Sequence, residues 1–256
     1  MAQAETRAGI TTAMILAAGL GTRIRDVSNT LPKPLLSVAG QPLIDYALAS
    51  AVHAGVTEIV VNTHYRAELI EAHLKGCATK PGAPTIRTVY EGARLETGGG
   101  VRNALPLLGT QAFFVMNSDS IVVDDRDSSL LRLAVAWDEK KMDALLLLCP
   151  LAMASGYDGA GDFVRTTPDE SPPGAAATLR RRAEGETGLV FTGVQILHPR
   201  LFATAPDGAY SLNIHYDKAA ARNRLYGLSH VGDWFHVGTA DGLRRADTGL
   251  TKAATR

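Results

Sequence analysis

The chain has 256 residues, 46% of them hydrophobic, with Lys+Arg and Asp+Glu matched at 26 each. That length and apolar content allow one large core or two modest ones, and the charge balance excludes a basic surface for non-specific nucleic-acid binding, leaving small molecules as the expected partners. No run approaches the ~18 apolar residues of a membrane span, residues 1–12 lack the apolar centre of a secretory signal, and Cys77 and Cys149 show no metal spacing between them; a cytoplasmic protein without membrane contact, carrying two free thiols that act as small hydrophobes, is expected.

Residues 1–11 are small and polar and are expected to be flexible. Met14-Ile15-Leu16 then reads as a strand that empties into Ala17-Ala18-Gly19-Leu20-Gly21-Thr22-Arg23, followed by Pro32-Lys33-Pro34-Leu35. Gly19 and Gly21 leave backbone amides open to an anion, and Arg23 and Lys33 add mobile positive charge. Pro32 and Pro34 fix the backbone on both sides of Lys33, which is costly for a merely solvated side chain. The loop is neither a dinucleotide fingerprint, because Ile24 stands where a third glycine belongs, nor a P-loop, because no Gly-Lys-Ser/Thr follows. It is expected to hold a nucleoside triphosphate.

A helix over residues 41–54 follows, with Pro42 in its first turn, a buried stripe at positions 43, 44, 47, 48, 51 and 52, and a stop at Gly55. Residues 58–62 read as a β-branched strand, 66–75 as a helix, 77–84 as a loop and 85–90 as a strand. Gly98-Gly99-Gly100 opens a helix closing near Pro106, and residues 112–116 read as a buried strand ending at Asn117-Ser118-Asp119. Strands alternating with helices imply a parallel sheet with right-handed crossovers, and ligands in such sheets sit beyond the carboxyl ends of the strands. Gly19 and Asp119 are therefore expected to face one pocket. Residues 130–139 continue as a helix and 144–148 as a strand, but from Ser155 the pattern changes to short strands with turns at Gly156, Gly159, Gly161 and Pro172-Pro173-Gly174. Further strands at 190–197, 225–230 and 234–237, a helix over 216–224 and a last helix from Ala240 lead to a flexible tail at 251–256. Trp137 reads as a buried anchor on a helix face, and Arg180-Arg181-Arg182 as a solvated hairpin.

Leu16-Ala17-Ala18-Gly19-Leu20-Gly21-Thr22-Arg23, then Pro32-Lys33-Pro34-Leu35, then Gly40-Gln41-Pro42-Leu43-Ile44, in that order, resembles the signature of the sugar-1-phosphate nucleotidylyltransferases. The likeness covers residues 12–250. It implies an α/β fold with a Rossmann-like, mostly parallel sheet flanked by helices, of the GT-A-like nucleotidyltransferase kind, and a small mixed β elaboration in the second half. One domain is implied, with an NTP-binding half at 12–120 and a sugar-binding half at 121–250. Leu95-Glu96-Thr97-Gly98-Gly99-Gly100, Gly161-Asp162-Phe163, Phe191-Thr192-Gly193 and His198-Pro199 are similar to the branch that joins UTP to N-acetylmuramate 1-phosphate in bacterial cell-wall recycling. Guanylyltransferases of mannose or heptose 1-phosphate are the nearest rival. A non-catalytic nucleotide-sugar-binding regulatory subunit is the rival of another class.

The resemblance implies that a sugar 1-phosphate attacks the α-phosphorus of an NTP and releases pyrophosphate. Arg23 would hold the leaving phosphates and Lys33 the α-phosphate or sugar phosphate. The base would lie near Ala17, Ala18 and Glu91, with Thr97, Gly98 and Gly99 allowing close approach, Gly19, Gly21 and Thr22 would bind the rest of the nucleotide in the triphosphate loop, and Asn117, Gly161, Asp162, Thr192 and Asn213 would contact the sugar. His64 reads as a surface-turn residue that could line the pocket. A divalent metal, Mg²⁺ with Mn²⁺ as the alternative, would sit on Asp119. The family's second ligand is an Asp in a Trp-x-Asp-Val-Gly-Thr block, which here reads Trp234-Phe235-His236-Val237-Gly238-Thr239. His236 is a softer, uncharged ligand. Either it takes the Asp's place, or Asp233 or an additional water does, or activity is reduced or lost. A lactyl-bearing sugar would need a cation, and Arg165, Lys218 and Arg222 are equal candidates.

Overall fold

The computed structural model describes residues 9–24, 31–166 and 174–254. Of the stretch 1–11 expected to be flexible, residues 1–8 lie outside the described residues, as does the Pro172-Pro173 part of the turn before Gly174. In chain order the elements are β1 (Thr12–Leu16), β2 (Ser37–Val38), β3 (Gln41–Pro42), α1 (Leu43–His53), β4 (Glu58–Thr63), α2 (Ala67–Ala78), β5 (Thr85–Tyr90) and α3 (Glu96–Leu108). They continue with β6 (Phe113–Asn117), β7 (Ser120–Asp124), α4 (Ser129–Ala136), β8 (Ala144–Cys149), β9 (Ala154–Ser155), β10 (Phe163–Arg165), β11 (Ala177–Arg181) and β12 (Val190–Leu197). The last are α5 (Asn213–Ala220), β13 (Leu225–Ser229), β14 (Gly232–His236) and α6 (Ala240–Ala254).

One nine-stranded sheet runs in the order β10-β11-β13-β8-β12-β6-β1-β4-β5. The stretch β6-β1-β4-β5 is parallel, as the alternation of strands and helices requires. Beyond β6 the sheet is mixed: β12 runs antiparallel to both β6 and β8, and β13 is parallel to β8. The second half thus extends the same sheet instead of standing beside it. Strand β8, Ala-Leu-Leu-Leu-Leu-Cys, is buried at every position, the pattern of a strand covered on both faces. One core cluster unites β1 and β4 with α1, α2 and α4; the other packs α3 and α5 on the opposite side.

Several boundaries differ from the expectations. Gln41 and Pro42 form a short strand, with Pro42 extended at ψ 141 and paired with Ser37, so α1 begins two residues later than expected, at Leu43. Its buried stripe ends at Ala51, because Val52 is 45% exposed. Helix α2 continues to Ala78, into the expected loop. Helix α3 starts at Glu96 and carries all three glycines and Pro106 inside it. Helix α4 stops at Ala136, leaving Trp137 as its half-buried C-cap against the core. Helix α5 runs over residues 213–220, ahead of the span expected. Helix α6 extends to Ala254 where a flexible tail was expected, and residues 255–256 lie outside the described residues. Strand β7, directly after Asp119, had no signal of its own; its pairing with β14 brings Ser120 opposite His236.

Candidate active site

The ends of three adjacent parallel strands tie the first loop down. Ala17 N–H donates to Asn62 Oδ1 at 2.9 Å, Asn62 Nδ2 donates to Glu91 Oε1 at 2.7 Å, and Leu95 N–H donates to Glu91 Oε2 at 2.9 Å. Asn62 and Glu91 are 3% and 2% exposed, so each polar atom in the chain is matched where water is scarce. Above them opens a cavity of about 350 Å³ whose wall includes Ala18, Gly19, Lys33, Asn62, Glu91, Arg94, Thr97, Asn117 and Asp119. Asn62 is a wall residue the sequence reading missed; its place at the end of a parallel strand was the available signal.

The glycines divide by task. Among the described residues, a Cβ on Gly19 would meet nothing within 4 Å, the open backbone that an anion site would need. Gly21 sits at φ 59, where a Cβ would come within 3.1 Å of the Lys33 Cβ; it makes room for Lys33. Gly98 and Gly99, expected to admit the base, are occupied from within the chain. Their N–H groups both donate to the Tyr210 carbonyl, and added Cβ atoms would strike the Tyr210 ring and the Gly208 carbonyl. Gly100 packs against Glu91 and Asn62 in the same way. Thr97, by contrast, lines the cavity, and its Oγ1 accepts from Leu212 N–H at 3.0 Å.

Lys33 stands in a single 3-10 turn behind the extended Pro32, its side chain 11% exposed. Its Nζ donates to Asp119 Oδ2 at 2.7 Å. Burial opposes ionisation of Asp119, but the charge and hydrogen bond of Lys33, helped by His236 and Arg23, prevail and hold the carboxyl below its ordinary range. Arg23 and Thr22 lie exposed in the turn Thr22–Ile24, outside the wall of the cavity. The reach of Arg23 is electrostatic, felt at both Asp119 and His236.

Val237 N–H donates to the Asp119 carbonyl at 3.0 Å, which fixes the end of β14 beside Asp119. His236 stacks on Trp234 with ring centroids 5.8 Å apart. Burial, together with the charges of Lys33 and Arg23, outweighs the pull of Asp119 and lowers the His236 pKa, leaving a neutral imidazole at pH 7 with a lone pair to offer. Gly238 is required here, since a Cβ would collide with His236 Nε2. Alternation along β14 turns Asp233 to the face opposite His236.

A second cavity, of about 260 Å³, begins on the far side of Asn117, which lines both. Ser120, Tyr157, Asp162, Phe163, Arg181, Phe191, Thr192, Asn213, Trp234 and His236 complete its wall. Asp162 Oδ2 accepts from Phe191 N–H at 2.8 Å, and Thr192 Oγ1 donates to the Leu147 carbonyl at 2.9 Å, so both are set by backbone. A register shift in β12 between Phe191 and Gln195 puts Gly193 at φ 85, where a Cβ would strike the Asn117 amide; the irregularity makes room for Asn117. Gly161 is a turn residue at φ 93 packed on Gly188 and is absent from the wall. Ala17 is likewise buried behind the first cavity. His64 is bonded to the Glu91 carbonyl at 2.7 Å and lines neither cavity.

The expected solvated hairpin at 180–182 is the largest correction. Only Arg180 fits it, pairing with Glu186 at 2.6 Å. Arg182 donates to the carbonyls of Gly161 and Glu186. Arg181 enters the second cavity: Nε donates to Asp217 Oδ1 at 2.7 Å, Nη2 to the Asn213 carbonyl at 3.3 Å, and its guanidinium lies 4.6 Å from the Phe163 ring centroid. Strand alternation was the signal that separates Arg181 from Arg180. Arg165 is bound to Ser229, Lys218 donates to the Thr204 carbonyl, Arg222 is exposed, and none of the three lines the cavity.

Two cavities sharing a wall at Asn117, with a lysine–aspartate pair in the wall of the first, can bring two anionic molecules end to end. Comparison with known proteins agrees. Residues 12–159 match the nucleotidyl transferase family. The chain is 40% identical over 243 residues to N-acetylmuramate alpha-1-phosphate uridylyltransferase of Caulobacter vibrioides, covering 94% of this chain and 97% of that one. It is 37% identical over 235 residues to the protein of the same name from Neisseria meningitidis serogroup B, covering 91% and 96%. A UDP-glucose pyrophosphorylase solved with UDP-glucose shares the fold, with a TM-score of 0.79 at 19% identity over 95% of this chain and 99% of that one. The chain therefore belongs to the nucleotidyl transferase family, enzymes that move a nucleotidyl group onto a sugar 1-phosphate.

Proposed function

We propose that this enzyme transfers UMP from UTP to N-acetylmuramate 1-phosphate, giving the UDP-sugar and pyrophosphate, in the cytoplasm. The observation that carries this reading is the Lys33–Asp119 pair in the wall of the inner cavity, which shares Asn117 with the outer one, and Arg181 in the wall of that outer cavity. The triphosphate lies along Gly19 with its base over Ala18, Asn62, Glu91 and Thr97. The sugar lies between Trp234, Phe191 and Asp162. A lactyl carboxylate meets Arg181, whose Nε and Nη2 are held by Asp217 and Asn213 so that the fork is already oriented.

A sugar-phosphate oxygen attacks the α-phosphorus in line; the new P–O bond forms as the bond to the β-phosphate breaks, and pyrophosphate leaves. The attacking phosphate is already an anion, so no general base is needed. The demand is for positive charge where two polyanions meet. Lys33 supplies it at the α-phosphate, released from Asp119 as the substrates enter, and Arg23 supplies it at the leaving phosphates.

The donor set fits a divalent metal. Asp119 offers a hard carboxylate oxygen and His236 a neutral nitrogen, a mixture that accepts Mn²⁺ at least as readily as Mg²⁺. These two residues would hold it, and it would neutralise charge on the phosphates.

Pyrophosphate release from UTP, GTP, CTP and dTTP, each paired with the 1-phosphates of N-acetylmuramate, N-acetylglucosamine, mannose and heptose, tests the reading. UTP with N-acetylmuramate 1-phosphate should give the highest kcat/KM. Faster turnover of GTP with mannose or heptose 1-phosphate would overturn the substrate assignment, and no turnover of any pair with Mg²⁺ or Mn²⁺ would point to a binding subunit.

A further inference from the structure

Away from the cleft, α1 and α2 pack side by side on the sheet and bring together three metal-ligand types. Asp45 lies in the first turn of α1, and His73 and Cys77 lie four residues apart on one face of α2. Their ligand atoms all fall within 4.8 Å of one another. We propose that Asp45, His73 and Cys77 form a binding site for a borderline divalent cation of the zinc class, separate from the catalytic metal.

The geometry supports this in three ways. First, a tetrahedral ion with metal–sulfur and metal–nitrogen bonds of about 2.3 and 2.0 Å separates those ligands by roughly 3.6 Å. The Cys77 Sγ to His73 Nε2 distance is 3.6 Å. Second, that same Nε2 also meets Asp45 Oδ1 at 2.6 Å. One ring nitrogen serves two partners: with a proton it bonds the carboxylate and cannot accept from the thiol, and without one it faces the carboxylate lone pair to lone pair. A cation placed among the three atoms satisfies both, at the cost of opening the Asp45–His73 contact. Third, a cavity of about 320 Å³, lined by Asp45 and Cys77 among others, borders the cluster and provides an entry path and room for water as fourth ligand.

The charge also balances, since the carboxylate and a thiolate neutralise a divalent ion. Burial and the Asp45 charge raise the Cys77 pKa, against the exposed Lys80, so the thiol is protonated at neutral pH and gives up one proton to solvent when the ion binds. The site joins α1 to α2, and its ligands take no part in either cavity of the active site.

The test is titration of the metal-free full chain with Co²⁺ in excess Mg²⁺, read by the thiolate-to-cobalt charge-transfer band. The catalytic pair Asp119 and His236 contains no sulfur, and Cys149 is 0% exposed, so the band reports Cys77. One equivalent should bind, Zn²⁺ should displace it, and Cys77→Ser should abolish the band with Mg²⁺-dependent turnover unchanged. His73→Gln, which keeps the thiol, should weaken Co²⁺ binding by at least the roughly 100-fold that loss of an outer-shell partner can reach. No band in the wild type, a band that survives Cys77→Ser, or full affinity in His73→Gln would overturn the proposal.

Discussion

The cavity walled by Gly19, Lys33 and Glu91 draws on the ends of β1, β4, β5 and β6, neighbours in a parallel sheet whose loops all emerge on one edge. The cavity walled by Tyr157, Arg181 and Trp234 draws instead on β11, β12, β14 and the turn after β9, elements with different directions and even different sheets. In the first, chain order and spatial order nearly coincide, so contiguous motifs record the site. In the second, single side chains arrive from separated segments, and only the packing of those segments brings them together. On the proposed reading, the fold keeps its phosphate chemistry in short blocks while sugar selection rests on isolated residues such as Arg181.

If the inner cavity holds the reaction, the largest effect belongs to Lys33. Lys33→Ala should cost about 3 kcal/mol of transition-state stabilisation, roughly 100-fold or more in kcat, with a smaller change in KM. Pyrophosphate-release kinetics that leave kcat intact would move the chemistry away from the Lys33–Asp119 pair.

The outer half carries a buried histidine that makes it acid-sensitive. His215, in α5, is fully buried between Phe202 and Tyr210, and burial, aided by Lys218, pushes its pKa down to about 4. The unfolded chain takes up a proton near pH 6.5 that the folded chain refuses until about 4, so this stability is present above 6.5 and is lost as pH falls toward 4. The loss amounts to on the order of 3 kcal/mol at pH 4. Buried His230 is shifted the same way, by burial first. Urea midpoints measured across this range should fall with acid, and the slope should flatten in His215→Asn; an unchanged slope would remove His215 as its source.

Gly99 separates fold from ligand on the inner side. An alanine there gains about 1 kcal/mol of helix propensity but meets the Gly208 carbonyl, and overpacking against backbone costs roughly 1–3 kcal/mol. Gly99→Ala should therefore lower Tm while leaving the KM for UTP nearly constant. A raised KM at constant Tm would return Gly99 to the nucleotide. The smallest change expected is at His236, where Asp adds a hard, charged ligand: His236→Asp should shift the preference between Mg²⁺ and Mn²⁺ toward Mg²⁺, and an unaltered ratio would count against a ligand at that position.

Much of this architecture could be read from the sequence. The strands ending at Leu16 and Asn117 carry hydrophobic runs and polar exits that place Gly19 and Asp119 on one edge of a parallel sheet. What stayed hidden depended on contacts across the fold. The glycines of α3 look like ligand clearance until Tyr210 and Gly208 are seen against them, a packing partner more than a hundred positions away that no local pattern announces. Cys77 looks like an incidental small hydrophobe because Asp45 comes within reach of it and of His73 only where α1 packs on α2. Arg181 is masked by its neighbours: three arginines in a row suggest solvent, whereas alternation on β11 sends the middle one inward. His236 was legible as a departure from the family block, and pairing of β7 with β14 supplies the reason it stands beside Asp119.

The measurement closest to the central claim compares kcat/KM for N-acetylmuramate 1-phosphate with that for N-acetylglucosamine 1-phosphate, which lacks the lactyl group, in the wild type and in Arg181→Gln. A hydrogen bond to a charged group contributes about 1.5–3 kcal/mol, so the preference for the lactyl sugar should shrink by roughly 10- to 100-fold in the variant, with turnover of the unsubstituted sugar preserved. An undiminished preference in Arg181→Gln would contradict the account.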